Sequence, residues 1–144
     1  MSEHKARVEW NLKGPFEYKV YSRAHDISFE GGIHVPGNAA PANIPPTVPA
    51  AHGVDPEQAF VASLSSCHML WFLHLARERQ LRVVSYEDDA VGELNGVCMT
   101  RVELHPRVEF EDEPEGYVVA DLHHAAHERC FLAASVNCPV EVMP

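Results

Sequence analysis

Residues 55–80, DPEQAFVASLSSCHMLWFLHLARERQ, constrain the fold more than any other stretch of the chain. Asp55 is a natural N-cap, Pro56 suits the first helical position, and Gln58 three residues after the cap completes a capping-box pattern. The spacing predicts a helix from Pro56 to about Gln80. Its apolar residues wrap most of the circumference, the pattern of a helix buried on several sides. Ala59 to Ala76 carry no Asp, Glu, Lys or Arg, a run close to the roughly 18 residues that suggest a membrane span. Ser63, Ser65, Ser66, His68 and His74 interrupt it. The hydropathy cost of such groups favours a fully buried helix of a soluble protein over a membrane one.

What surrounds this helix reads as strand. ARVEWNL and FEYKVYS, separated by the turn signal KGP and followed by DISFEGGIHV with its Gly-Gly turn, predict an antiparallel N-terminal meander. Residues 36–49 hold five of the eleven prolines, which suits a long surface loop and neither helix nor central strand. After the helix, LRVVSYEDDAVGEL and CMTRVELHPRVEFE carry alternating β-branched residues on either side of Asn95-Gly96, a hairpin signal. A second helix is expected over about Val118 to Ser135, and PVEVM as a short closing strand. The order is α+β, in a single domain spanning residues 1–144.

A formal charge of −10, from 21 acidic residues against 11 Lys and Arg, would repel a phosphate backbone and an anionic membrane surface. Nucleic acid and membrane are therefore not expected as partners. MSEHKARVEWNL lacks the apolar core of a signal peptide, so a cytoplasmic location is expected. In a reducing compartment Cys67, Cys98, Cys130 and Cys138 read as core thiols, metal ligands or redox groups rather than as staples.

Two constellations could carry chemistry. His123, His127 and Cys130 fall at spacings of four and three on one face of the second helix, where nitrogen and sulfur ligands could hold zinc or a related metal, although a tetrahedral site needs a further ligand; the ordinary reading is a solvated face of His123, His124 and His127 with Cys130 toward the core. The other is Cys67 with a second thiol. A cysteine in an apolar helix is ordinarily an inert small hydrophobe. The surrounding sequence, however, resembles the signature of the OsmC/Ohr hydroperoxide reductases: Asp, Pro and Glu ahead of an apolar helix, with the reactive cysteine ten residues after the glutamate. Here those residues are Glu57 and Cys67. AHERC resembles the family's Ala-His-x-x-Cys, which makes Cys130 the second cysteine, and Arg23 precedes Gly31-Gly32 where the family keeps its active-site arginine.

The resemblance implies an OsmC-like fold, antiparallel sheets around a long buried central helix with a second helix, in an intertwined homodimer. It also implies a thiol peroxidase that reduces organic hydroperoxides and is recycled by a dithiol, with no metal or organic cofactor. The residue types suit that chemistry. A guanidinium at Arg23 favours the thiolate that must attack the O–O bond, and a carboxylate at Glu57 could hold the arginine by a bidentate pair. Attack leaves a sulfenic acid on Cys67, with which Cys130 could condense. In a continuous helix Glu57 and Cys67 lie about 15 Å apart, so the carboxylate is expected to reach the thiol of a second subunit. Many relatives have proline directly after the second cysteine, whereas here Phe131 follows Cys130 and the Cys-Pro pair is Cys138-Pro139; either cysteine could be the partner. His68 points about 100° away from Cys67 on a helix and reads either as a pocket or interface residue or as a buried, hydrogen-bonded histidine. Cys98 has no assigned role. The competing class is a non-enzymatic binding protein with an apolar ligand in the same dimer pocket, or a metal on His123, His127 and Cys130.

Overall fold

The computed structural model describes residues 1–144, which divide into two compact units, Met1–Ala59 and Phe60–Pro144. In the first, strands β1 (Ala6–Glu9), β2 (His25–Phe29) and β3 (Ile33–Gly37) form an antiparallel sheet in that order. The expected meander is present, but FEYKVYS is not one of its strands. Glu17 O accepts from Val20 N at 2.9 Å and from Tyr21 N at 3.0 Å, coiling the chain into a turn. The turn brings the Phe16 and Tyr21 rings to 5.7 and 6.0 Å from Trp10, edge-on, a gain that a strand would forgo by sending alternate rings to opposite faces. Gly31 and Gly32 turn β2 into β3 with φ of 80° and 77°, values that glycine adopts without steric cost.

The proline-rich segment is pinned rather than free. Asn38 is buried, its Nδ2 donating to Ala51 O at 2.9 Å, and Val54 N donates to Pro36 O at 2.8 Å. Pro45 and Val48 are buried as well.

Helix α1 spans Pro56–Glu78. Its capping box forms as read: Gln58 N donates to Asp55 Oδ1 at 2.8 Å and Asp55 N to Gln58 Oε1 at 3.1 Å. It ends in a Schellman turn, Leu81 N donating to Ala76 O at 2.9 Å and Gln80 N to Arg77 O at 3.0 Å, with Gln80 in the left-handed region at φ 60°. Beyond it, β4 (Val83–Asp88) and β5 (Val91–Asn95) run into β6 (Cys98–Leu104) and β7 (Pro106–Phe110) as one long hairpin broken on both arms. The turn is Gly96-Val97 rather than Asn95-Gly96, with Gly96 at φ 63° as its first residue, as a type II′ turn requires. Because of the breaks β4 pairs with β7, while β5 and β6 form a second sheet with β8 (Val140–Val142), which runs parallel to β6. Asp88 holds both breaks: Oδ1 accepts from His105 N at 2.6 Å, and Oδ2 accepts from Ser65 Oγ on α1. The second helix, α2, spans Gly116–Arg129 and stops sooner than expected, leaving Cys130 in extended backbone at its C-cap and a short 3-10 turn at Ala133–Ser135.

Within the second unit, Leu64, His68, Phe72, Leu75 and Ala76 are the buried residues of α1. Their spacing is one helical stripe. Phe72, Leu75 and Ala76 pack with Phe110, Leu122 and Ala126, and Leu64 packs with Val102 and Leu104. A Cβ on Gly92 would stand 2.5 Å from Val61 Cγ2, so β5 can lie against α1 only because that residue is glycine. The expectation of a helix covered on every side fails for one chain: 28% of its most apolar window is buried, and Leu70 is 60% exposed. The fold supplies apolar partners for one stripe, and Ala62, Ser63, Ser66 and Leu70 face outward.

Candidate active site around Cys67 and Cys130

Cys67 lies half-buried in the middle of α1, on the wall of a recess of about 300 Å³. The recess is otherwise lined by Leu70, Trp71, His74 and Phe131, an almost wholly apolar set. Cys130 is buried, 2% exposed, where the chain leaves α2. The stop at Arg129 matters for this placement. Cys130 N donates to His127 O at 3.3 Å, and the chain then turns so that Ala133 N donates to the Cys130 sulfur at 3.4 Å. Burial raises the pKa of the Cys130 thiol above its ordinary value, and hydrogen bonding with the neighbouring Cys67 thiol raises it further; the Ala133 amide works the other way. All four cysteines are free thiols. The structure thus brings Cys67 and Cys130 together. Cys138 instead packs in the cluster of Leu64, Val102 and Leu104, and Cys98 is exposed on β6.

The other two sequence-derived candidates lie in the first unit. Arg23 donates from Nη2 to Tyr18 O at 2.8 Å and from Nη1 to Tyr21 O, and its guanidinium stacks 3.7 Å from the centroid of the Tyr21 ring. It lines an apolar recess of about 410 Å³ with Trp10, Phe16 and His25. Glu57 sits in the first turn of α1, where a carboxylate suits the helix dipole. Its Oε2 is buried and has no hydrogen-bond partner.

The core holds a buried, hydrogen-bonded His68, one of the two readings of that residue, and its partner is His123, which the sequence did not reveal. His68 Nε2 and His123 Nδ1 are hydrogen-bonded at 3.0 Å, with the ring planes 6° apart and both residues buried. Burial lowers the pKa of each to about 4; for His68 the nearby His123 and His127 add to the effect and Asp88 opposes it. This pairing redirects His123, and Cys130 faces Cys67, so His123, His127 and Cys130 do not converge as metal ligands. The metal reading of that trio is corrected accordingly. Trp71 was missed although a signal existed, since it follows Cys67 by four residues and so shares its helix face.

A family model described as OsmC-like protein matches residues 49–143, a span that includes both helices and both thiols. The chain belongs to the OsmC-like family. A solved structure of an OsmC-like protein of unknown function from Vibrio cholerae is 42% identical, with a TM-score of 0.92 over 99% of each chain. An organic hydroperoxide resistance protein from Elizabethkingia anophelis is similar at 15% identity and TM-score 0.71, covering 99% of this chain and 94% of that one. The organic hydroperoxide resistance protein OhrB of Bacillus subtilis is similar at 22% identity and TM-score 0.60 over 96% of each chain. These two likenesses show a shared α+β fold. A comparison with curated proteins gave no match.

Proposed function

We propose that this OsmC-like protein is a thiol peroxidase for organic hydroperoxides, with Cys67 as the attacking and Cys130 as the resolving cysteine. The observation that carries the reading is the asymmetry of the two adjacent thiols. Cys67 opens onto an apolar recess, whereas Cys130 is buried and its thiol is held in the neutral form. The Cys67 thiolate attacks the outer peroxide oxygen, the O–O bond breaks, and the leaving alkoxide takes a proton to become the alcohol. Cys67 is then a sulfenic acid. Cys130 attacks its sulfur, hydroxide leaves with the Cys130 proton as water, and a disulfide remains. A dithiol of the cell reduces that disulfide and is itself oxidised to one.

Burial holds the Cys130 pKa up, and hydrogen bonding and charge at Cys67 add to it; oxidation of Cys67 removes the part that its charge contributes. The guanidinium that favours the Cys67 thiolate is assigned to Arg23, and the carboxylate that orients it to Glu57. The exposed Leu70 on the outward face of α1, 60% exposed, supports a homodimer built on that helix, because a large apolar side chain is costly to leave in water.

The test is to add cumene hydroperoxide to reduced protein while counting free thiols, then to map the oxidised peptides. Loss of two thiols per chain within one equivalent, and a Cys67–Cys130 peptide, are expected, with the Cys67→Ser variant inert. No thiol loss would sink the enzyme reading.

A further inference from the structure

The recess at Cys67 is built from rings set at right angles. Trp71 and Phe131 stand 5.4 Å apart with an interplanar angle of 84°, and Trp71 and His74 stand 5.7 Å apart at 87°. The Arg129 guanidinium lies 5.7 Å over the Trp71 ring and helps to fix it. Phe131 is 69% exposed and outside the hydrophobic core, so its ring is open to a further contact. It projects from the segment directly after the buried Cys130 and meets Trp71 at the mouth of the recess.

We propose that Trp71 and Phe131 form a phenyl-binding corner that selects hydroperoxides bearing an aromatic ring. The inference rests on the peroxidase reading and names the substrate class of that same site. Two perpendicular rings offer an incoming phenyl group one partner for offset stacking and one for an edge-to-face contact. Each such pair contributes beyond buried area, whereas a branched alkyl group gains the area term alone. The size fits as well. A cavity of about 150 Å³ holds benzene, and this one, at about 300 Å³, has room for the ring, the carbon that bears the peroxide, and the peroxide itself in front of the Cys67 sulfur. The walls give little to a polar tail, so the ring is the recognised part.

The experiment compares cumene hydroperoxide with tert-butyl hydroperoxide, which carry the same tertiary peroxide centre with and without a phenyl group. For wild type the ratio of kcat/KM values is expected to favour cumene hydroperoxide by about tenfold, and Phe131→Ala and Trp71→Leu should each lower that ratio by about threefold to tenfold. A ratio unchanged by both substitutions would overturn the proposal. A binding measurement separates this failure from failure of the peroxidase reading. In Cys67→Ser protein carrying Trp10→Phe, Trp71 is the one remaining tryptophan, and its fluorescence should titrate with 2-phenyl-2-propanol and not with tert-butanol. Loss of that response on Phe131→Ala supports the corner whatever the turnover. Equal responses to the two alcohols would refute it.

Discussion

The buried imidazole pair makes the fold acid-sensitive in a window set by its own chemistry. His68 and His123 have pKa values of about 4 in the folded chain and an ordinary value near 6.5 when unfolded. Between those limits the unfolded chain binds more protons, so stability is full above about pH 6.5 and is lost as pH falls toward about 4. By pH 5 one such histidine has lost about 2 kcal/mol and the two together about 4 kcal/mol. That is a large share of the ~5–15 kcal/mol typical of a domain. Asp88 faces His68 and moderates the effect. Urea unfolding followed at about pH 7.5 and 5 reads the loss above the range where most carboxylates titrate. With an m-value of about 2 kcal/mol/M, the midpoint should fall by about 2 M. His123→Leu removes one of the two titrations and should roughly halve that fall, while lowering stability at pH 7.5 by about 1–3 kcal/mol because His68 Nε2 loses its buried partner. An unchanged fall in the variant, or a flat wild-type profile, would refute the reasoning.

Arg23→Ala should slow the alkylation of Cys67 at about pH 6–7, read as the rate of iodoacetamide labelling; an unchanged rate would assign activation of the thiol to another group. Cys130→Ser should stop at a Cys67 sulfenic acid trapped by dimedone, whereas Cys138→Ser should still form the disulfide; the reverse outcome would transfer the resolving role. Gln80→Gly should stabilise the chain by about 1 kcal/mol, read as a rise of a few degrees in Tm, because Gln80 closes α1 at φ 60° where a side chain is strained. No rise, or a fall, would show that unfolded-state entropy outweighs the relief.

Local signals made much of the fold legible. Asp55, Pro56 and Gln58 announce the start of α1 through a capping box that involves only neighbours in sequence. Gly31-Gly32 and Gly96 announce reversals for the same reason. What was not legible depends on partners distant in the chain. The alternation in FEYKVYS suits a strand, but Trp10 offers the Phe16 and Tyr21 rings a better contact in a turn. The histidines of α2 fall at ligand spacing, yet His68 on α1, 55 residues earlier, takes His123 for itself.

The same division runs through the site. Cys67 and Cys130 could be picked out because the motifs around them, Glu57 to Cys67 and AHERC, are short stretches of continuous sequence. Their neighbourhood could not, because it depends on where α2 stops. Helix propensity alone does not end α2 at Arg129, since Phe131, Leu132, Ala133 and Ala134 would all continue it. The end coincides with the burial of Cys130, whose sulfur takes the Ala133 amide that a continuing helix would give to Arg129 O. One more turn of α2 would carry Phe131 about 100° round the helix from Cys130. By stopping there, the chain delivers a buried thiol beside Cys67 and an exposed ring beside Trp71 from consecutive residues. The positions of Cys130 and Phe131 are therefore set by one C-cap, and a substitution that extends α2 should disturb both together.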